Sequence, residues 1–351
     1  MTANLTYERF ADIDLDDPFF ESLKSDYQEF ASWFGKKGQE RAHTSRGEDG
    51  ELDGFLYIKE ENEVLNDLTP PLPTAHRMKI GTFKINPRGT RLGERFLKKT
   101  FDYAIEAKCE QIYVTVFPRY DALIQLFQRY GFLKVAEKTT ENGTEIVLLR
   151  ELFRPSGDVV KDYPLIPIRE NRHFLLALYP EWHSRLLPDS ILKTEDASIL
   201  EDVSHTNSIH KIYLAAMRGV EGLRRGDTIL IYRTKDGAGP AHYRSVATSL
   251  CVVEELRHVS HFPSFEEFQS YCAPYSIFTL EELRDLYQRR KYPWVIRFTY
   301  NLALRKRVTR QVLIEKVGLD PNAYWGFLPI TSEQLRVILA LAGNDENPLI
   351  H

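Results

Sequence analysis

The sequence predicts two domains of different class: an α/β domain over residues 1–153, with a mixed central sheet flanked by helices, and an α+β domain over residues 161–351. The first observation is the length of 351 residues, which exceeds that of a typical single domain. The second is an alternation of strand-like and helix-like apolar patterns in the first part, followed by a part dominated by strands. The third is a cluster of turn-forming residues between the two parts, Pro155, Ser156, Gly157 and Pro164.

In the first part the apolar spacing predicts an amphipathic helix over 19–34, and the polar composition of 35–53 predicts a mobile loop. The dipeptide Asn142-Gly143 predicts a hairpin turn between the last two strands. Strands are predicted at 54–59, 78–86, 111–117, 132–137 and 144–149, and helices at 94–107 and 122–130. In the second part strands are predicted at 209–216, 228–234, 243–255 and 294–300, and helices at 265–271 and 280–289.

The composition is that of a soluble globular protein, with 43% hydrophobic and 27% charged residues and a net charge of −4. Cys109, Cys251 and Cys272 lie far apart, so neither a disulfide framework nor a zinc site is expected. The histidines show no metal-ligand spacing, and no metal is expected. No apolar run approaches the roughly 18 residues that span a bilayer, and we expect a cytoplasmic protein with no membrane partner.

The segment from Ile85 to Glu94 places a glycine-bearing turn between a predicted strand and a predicted helix. Backbone N–H groups of such a turn point outward together, and the helix dipole adds positive charge, so the turn suits a diphosphate. Two arginines add full positive charge at the same place. An ordinary strand-to-helix connection is the alternative. The residues predicted to bind the diphosphate are Arg88, Gly89, Thr90, Arg91, Leu92, Gly93 and Glu94.

This turn resembles the pattern (Gln or Arg)-x-x-Gly-x-(Gly or Ala) of the GNAT family of N-acetyltransferases, with Arg88 first, Gly93 last and Arg91 in place of the middle glycine. About 40 residues downstream, 120–132 resembles the family's second signature, retaining Leu126 and the Gly-Phe pair at 131–132. The resemblance covers about residues 50–150. It implies a GNAT fold that binds acetyl-CoA (CoA) and transfers the acetyl group to an amine.

The resemblance also implies catalytic groups. The tyrosine that often acts as general acid aligns with Phe127, which has no proton to give, so Tyr120 and Tyr130 are the candidate acids. The oxyanion donor of the family is a backbone N–H of the strand beside acetyl-CoA, here Phe83 to Ile85. Candidate groups for deprotonating the amine are Glu60, Glu61 and Glu63, although a solvated strand end explains them equally well.

In the second part a Leu-x-x-Gly-Asp turn at 223–227 feeds an apolar strand that ends in Tyr232 and Arg233. This arrangement resembles PUA-like β-barrels of the ASCH and EVE type, which bind RNA or individual, often modified, bases. An unrelated α+β domain with a β-barrel core is the alternative. The resemblance implies a base-binding pocket, for which the candidate residues are Lys211, Arg233 and Arg244.

The segment 284–310 carries nine basic residues against one acid, with aromatic residues interleaved. Cations neutralise phosphates and aromatic faces stack on unpaired bases, the combination that single-stranded nucleic acid requires. A solvated charged face over a packed strand is the alternative. The candidates for nucleic-acid binding in this segment are Arg290, Lys291 and Trp294.

Two functional hypotheses follow. The first is an acetyl-CoA-dependent N-acyltransferase that its second domain directs to an RNA, aminoacyl-tRNA or nucleoprotein substrate. The second is a non-catalytic CoA-binding protein that senses CoA and binds RNA or a modified nucleobase. Phe127 favours the second hypothesis, and the turn at 88–94 is compatible with both. The oligomeric state stays open.

Overall fold

The structure is a computed structural model that describes residues 5–47, 50–86, 91–168, 171–187, 208–237 and 239–344. The chain divides into two compact units, the first running to Arg154 and the second beginning at Pro155. Within these described ranges no helix is both long and apolar enough to cross a membrane.

The first unit contains a seven-stranded sheet in the order β1-β2-β3-β4-β5-β7-β6. Its strands are β1 (Leu5–Arg9), β2 (Arg41–Arg46), β3 (Leu52–Glu61), β4 (Arg77–Ile85), β5 (Gln111–Val116), β6 (Leu133–Thr140) and β7 (Gly143–Glu151). Only β4 and β5 pair in parallel, because α3 (Leu92–Glu106) connects them as a crossover helix. The predicted mixed sheet is therefore confirmed.

Helices cover both faces of this sheet. Besides α3, the unit contains α1 (Glu21–Asp26), α2 (Phe30–Lys36) and α4 (Asp121–Arg129). On one face the Phe83 ring of β4 contacts Phe96 of α3 and Phe127 of α4, with ring centroids 5.6 and 5.2 Å apart. On the other face an aromatic cluster from α2 and from the turn that precedes α1 packs on Phe55 of β3. The two faces of the sheet are thus covered by different helices.

Two expectations for the first unit were wrong. The helix predicted over 19–34 is a 3-10 turn followed by the two short helices α1 and α2, because Tyr27 takes an extended conformation with φ −132°. The loop predicted over 35–53 contains β2. The middle of β2, Ala-His-Thr-Ser, is polar in sequence and yet buried between β1 and β3, so hydrophobic periodicity could not identify it.

The second unit contains a six-stranded mixed sheet in the order β13-β8-β10-β11-β12-β9. Its strands are β8 (His173–Leu178), β9 (His210–Ala215), β10 (Thr228–Arg233), β11 (Val246–His258), β12 (Trp294–Thr309) and β13 (Phe327–Ile330). Only β8 and β10 are parallel. The strands β13 and β9 end this order, and no pairing between them is found in the part of the chain that the structure describes. Closure into a PUA-like barrel stays a prediction.

Six helices flank this sheet: α5 (Pro180–Leu186), α6 (Ala241–Arg244), α7 (Phe265–Cys272), α8 (Leu280–Arg289), α9 (Arg310–Glu315) and α10 (Ser332–Ala342). The predicted helices at 265–271 and 280–289 are confirmed as α7 and α8, and a capping box between Thr279 and Glu282 fixes the start of α8. The strand predicted from 243 begins only at Val246, because α6 occupies the preceding residues. β12 runs nine residues beyond its predicted end at 300.

Candidate functional site

The parallel strands β4 and β5 separate part of the way along the sheet. They pair from Arg77 to Ile80, whereas β4 continues to Ile85. The separation coincides with a bulge at Gly81. The neighbouring residues Tyr57 and Ile58 of β3 pair with Thr82 and Ile80 of β4, which leaves Gly81 between them as the extra residue. A bulge bends its strand and increases its twist. The result is an opening between the two strands, which we call the strand cleft: residues 81–85 of β4, facing β5.

Gly81 at the head of the strand cleft has no room for a side chain. A Cβ at this position would lie 2.7 Å from Cδ1 of Tyr57. The Tyr57 ring is held in place, since its hydroxyl donates to Glu40 and its face packs edge-on against Phe10 at 5.2 Å. A glycine is therefore required for the bulge in its present position.

Two backbone N–H groups of β4 face the strand cleft. The N–H of Asn86 donates to the carbonyl oxygen of Asp53 at 2.8 Å, which points it toward β3. N–H groups alternate in direction along an antiparallel ladder, so those of Ile85 and Phe83 point the opposite way. Pairing with β5 has ended by this point. The backbone of Phe83 and Ile85 is thus available to a ligand in the cleft, and their role in binding a cofactor stays a prediction.

The N-terminus of α3 follows the strand cleft directly. The N-cap residue Arg91 has φ +52°, and no side chain caps the helix. The N–H groups of Leu92 and Gly93 open the helix, where intrahelical acceptors are lacking. A Cβ at Gly93 would lie 2.8 Å from Cδ2 of Leu126, so this glycine lets α4 approach α3 closely. Arg88, Gly89 and Thr90 lie outside the described residues.

Glu94 organises the cations at this helix start. Its carboxylate is 5% exposed and lies 3.4 Å from the Arg91 guanidinium and 3.2 Å from that of Arg129. A buried carboxylate in the first turn repels an anion, so Glu94 positions the two arginines rather than contacting a phosphate itself. The sequence analysis did not identify Arg129, because it lies on α4, 35 residues away.

Replacing Arg91 with glycine is expected to show two effects separately: that of backbone strain on stability and that of the charge on CoA binding. A non-glycine residue in the left-handed region costs about 1 kcal/mol, so the free energy of unfolding should not fall in Arg91→Gly. Loss of the cation should weaken binding of CoA about threefold to tenfold, with a smaller effect at high salt. Thermal melting and calorimetric titration at two salt concentrations measure both quantities. Unchanged affinity would contradict a role of Arg91 in diphosphate binding.

The two predicted acids lie at opposite ends of α4. Tyr120 is the N-cap residue and is 38% exposed, whereas Tyr130 is the C-cap residue and is fully buried. A helix of nine residues is about 13 Å long, so the two hydroxyls cannot act on the same atom. Between them Phe127 is buried against Phe83. Both tyrosines stay predictions as acids.

A polar cluster lies on the face of the sheet opposite α3, beside the strand cleft. The Tyr27 hydroxyl donates to Glu145 of β7 at 2.6 Å, and Glu145 is 4% exposed. Asp26 accepts a hydrogen bond from the Tyr120 hydroxyl and pairs with Arg119 at 2.6 Å. The side chain of Lys84, next to Phe83 on β4, turns to this face and contacts the hydroxyl of Ser22. The sequence analysis did not identify Asp26, Tyr27 or Glu145.

Burial shifts the pKa of two side chains in this cluster, those of Tyr27 and Lys84. Burial raises the pKa of Tyr27, and its hydrogen bond to Glu145 raises it further, so the phenol stays protonated. Burial lowers the pKa of Lys84, against a smaller opposing effect of Asp26. The arrangement presents a buried carboxylate whose partner is a neutral donor, which suits a proton acceptor.

The carboxylates predicted as bases lie elsewhere. Glu61 pairs with Arg77 at the closed end of the β3–β4–β5 ladder, about 13 Å from Gly81 at 3.3 Å per residue. Its carboxylate accepts a hydrogen bond from the Tyr113 hydroxyl and forms an ion pair with Lys59 at 2.5 Å. The neighbouring Glu60 contacts His76 at 3.1 Å, and Glu63 is exposed. These residues stay predictions as bases.

In the second unit the predicted pocket residues differ in burial. Lys211 is fully buried on β9, with its amine 6.0 Å from the Tyr300 ring centroid, and Arg233 is 2% exposed on β10. A phosphate backbone does not reach such positions, and their role in a pocket for a base stays a prediction. Arg244 lies nearer the surface and forms a bidentate ion pair with Asp236.

The basic residues of 284–310 do not form one surface. Arg290 and Lys291 are exposed after α8, and Trp294 is partly buried with its ring against His258. Arg297 instead pairs with the buried Glu254 at 3.2 Å. The remaining cations, at 305–310, begin about 11 residues after Trp294. At 3.3 Å per residue this is roughly 36 Å along β12. Arg290 and Lys291 are exposed cations close in sequence to Trp294, and Arg284 on α8 is a further exposed cation, 5.0 Å from the Phe265 ring centroid.

No protein-family model and no curated protein matches the chain. Among solved structures, nourseothricin acetyltransferase is 18% identical with a TM-score of 0.26, over 31% of this chain and 63% of that one. Ard1 from Thermoplasma volcanium is 13% identical with a TM-score of 0.35, over 44% of this chain and 100% of that one. A mutant of ZmASCH from Zymomonas mobilis is 11% identical with a TM-score of 0.31, over 49% and 97%. Because every TM-score is below 0.5, we base the function on the residues and contacts described above.

Proposed function

We propose that the first unit is an N-acyltransferase that uses acyl-CoA, with acetyl as the acyl group. The observation that carries this proposal is the strand cleft, where β4 leaves β5 at Gly81 and turns the backbone N–H groups of Phe83 and Ile85 outward. The cleft leads to a helix start bearing Arg91 and Arg129. An extended amide-containing chain that ends in a diphosphate fits this combination of peptide donors and cations.

When bound, the cofactor supplies an activated acyl group as a thioester. The chain's own residues bind and orient it. The N–H groups of Phe83 and Ile85 donate to amide or thioester oxygens, and a donor aimed at a developing oxyanion is worth about 10²–10³ in turnover. The first turn of α3, its N-cap residue Arg91 and Arg129 of α4 hold the diphosphate. Gly81 keeps the cleft free of a side chain that would displace the bulge.

The acceptor amine approaches from the polar cluster on the opposite face. An ammonium group must lose a proton before it can attack, and Glu145 is a buried carboxylate beside the strand cleft that can take it. The Tyr27 hydroxyl holds Glu145 in position through its 2.6 Å hydrogen bond. Tyr120, whose pKa is raised by burial and by Asp26, stays protonated and remains the candidate donor to the leaving thiolate.

A second candidate function is CoA binding without transfer. It is favoured by Phe127, which presents a buried phenyl ring to Phe83 where the GNAT pattern has a tyrosine hydroxyl. Measuring thioester loss from acetyl-CoA with total RNA and with lysine-containing peptides as acceptors distinguishes the two. Transfer to either acceptor supports the enzyme. Binding of CoA with no turnover on any acceptor would favour the binding protein instead.

We further propose that the second unit binds RNA, or a modified base, and so selects the acceptor. The exposed pair Arg290 and Lys291 beside Trp294, together with the buried Lys211 and Arg233, supports this role. The double variant Arg290→Ala, Lys291→Ala is expected to weaken binding of single-stranded RNA and to reduce the slope of log affinity against log salt by about 1.4, at roughly 0.7 per lost phosphate contact of a single strand. A gel-shift series across salt measures both, and Lys306→Ala, a distant exposed cation on β12, is the control. An unchanged salt slope in the double variant would refute this surface.

A further inference from the structure

The second unit contains a cavity of about 660 Å³, and of its lining residues the RNA proposal uses only Lys291. Its volume lies within the range of roughly 300–1,000 Å³ of small-molecule sites. It is lined by the start of α5, the end of β9, Phe278 and one side of α8. Its aromatic lining residues are Tyr179, Trp182, Tyr213, Phe278 and Tyr292.

The aromatic walls are rigid. The rings of Trp182 and Phe278 pack against each other with centroids 5.2 Å apart. Arg185 holds them together, since its guanidinium donates to the carbonyl oxygen of Ile277 and lies 5.7 Å from the Trp182 ring centroid. The cavity therefore presents fixed aromatic surfaces without reorganisation.

A largely buried tyrosine of β9 lines the cavity. Tyr213 on β9 is only 5% exposed and lines the cavity. Within the described ranges of the chain its hydroxyl has no hydrogen-bond partner, although buried tyrosines ordinarily have one. Burial raises its pKa, so it stays protonated and can both donate and accept one hydrogen bond. A ligand with a polar group at this depth would satisfy it.

The charge of the lining determines the class of ligand. Four carboxylates, those of Glu181, Glu281, Glu282 and Asp285, stand against the two cations Arg289 and Lys291, which leaves a surplus of two negative charges. Asp285 and Arg289 neutralise each other in an ion pair at 2.6 Å. Glu282 is used in the N-terminal capping box of α8. Glu181 and Glu281, exposed at the rim, are engaged in no ion pair within the described residues.

We propose that this cavity binds an organic cation, namely the ammonium or guanidinium of a lysine or arginine side chain in a basic polypeptide segment. Aromatic faces attract such cations through their quadrupoles, and the attraction is strongest where the site is desolvated. The carboxylates at the rim add Coulomb attraction and repel a phosphate backbone, so an RNA ligand is disfavoured here. The Tyr213 hydroxyl accepts a hydrogen bond from the bound N–H group. This inference concerns the second unit alone and does not depend on acyl transfer in the first.

The test is titration of the full-length chain, followed by calorimetry, with a capped Gly-Gly-Lys-Gly-Gly peptide, the same peptide with norleucine for lysine, spermidine, and a single-stranded RNA dodecamer. We expect the lysine peptide to bind and the norleucine peptide not to bind. Binding of spermidine with equal affinity would assign the site to free amines rather than to a polypeptide. Absence of binding by both amines would overturn the proposal.

Substitutions of residues that line the cavity test whether the peptide binds there. Trp182→Leu is expected to raise the Kd of the lysine peptide about tenfold, and Tyr213→Phe and Glu281→Gln about threefold each. Tyr213→Phe and Glu281→Gln change a single polar group and should leave the fold intact, so they decide the matter if Trp182→Leu unfolds. The controls are Tyr243→Phe and Glu315→Gln, exposed residues outside the cavity lining. Unchanged Kd in all three cavity variants would refute the assignment.

Discussion

Replacement of Glu145 by glutamine is expected to lower the turnover number for acyl transfer about 10²-fold, because a positioned general base contributes roughly 10²–10⁴. Glutamine has nearly the same shape and its amide oxygen still accepts the hydrogen bond that Tyr27 donates to Glu145. The cluster should therefore stay assembled while it loses its ability to take a proton. Affinity for acyl-CoA should be unchanged, since the cofactor-binding groups lie on the other face of the sheet. Steady-state kinetics together with calorimetric titration of CoA measure both quantities.

The pH profile of this variant distinguishes a base from a structural residue. Without the base, only the fraction of acceptor that is already neutral reacts, so the rate should rise steadily with pH up to the pKa of the amine. An acceptor amine of low pKa should consequently be affected less than one of high pKa. The control is Glu151→Gln, an exposed residue on the same strand. A turnover number and pH profile equal to those of the unmodified chain would exclude Glu145 as the base.

The part of the site that is local in sequence could be predicted from the sequence. The two outward-facing peptide groups of Phe83 and Ile85 and the helix start at Leu92 lie on consecutive described elements of one strand–helix connection. Strand and helix periodicities locate such a connection directly. The predicted role of Arg91 as a substitute for glycine agrees with its φ of +52°. Its partner Arg129 could not be identified in the same way, because their proximity depends on how α4 packs on α3.

The polar cluster shows why the other half of the site could not be predicted. Asp26 and Tyr27 fall within a segment that predicts one continuous helix, and Glu145 falls on a strand whose partner is β5. Tyr27 and Glu145 are 118 positions apart in the chain. They meet only because β7 is inserted between β5 and β6. The same holds for the basic segment of the second unit. Arg297 belongs to that segment, but it pairs with the buried Glu254 on the neighbouring strand.

Substituting Ile85 with proline is expected to lower the turnover number of acyl transfer, or the affinity for acyl-CoA, by tenfold to about 10³-fold, depending on whether this N–H binds the cofactor chain or the oxyanion. Proline removes one N–H and fixes φ near −65°. At Ile85 the N–H points into the strand cleft, so the pairing of β4 with β3 keeps its hydrogen bonds. Proline is tolerated in a strand at such an unpaired edge. Function should therefore be lost with little loss of stability.

Proline at the neighbouring position, Lys84, is expected to lower stability, and so it tests the direction of the two peptide groups. At Lys84 the N–H points toward β3, because it alternates with that of Ile85 and matches that of Asn86, which donates to Asp53. Lys84→Pro should consequently break a ladder hydrogen bond inside the sheet and lower the melting temperature by several degrees. Ile85→Ala, which keeps the N–H and loses the side chain, distinguishes the backbone donor from the packing of Ile85 on Gly93. If Ile85→Pro retained full turnover and full acyl-CoA affinity, the open edge of β4 would not be the binding site and the strand cleft would lose its assignment.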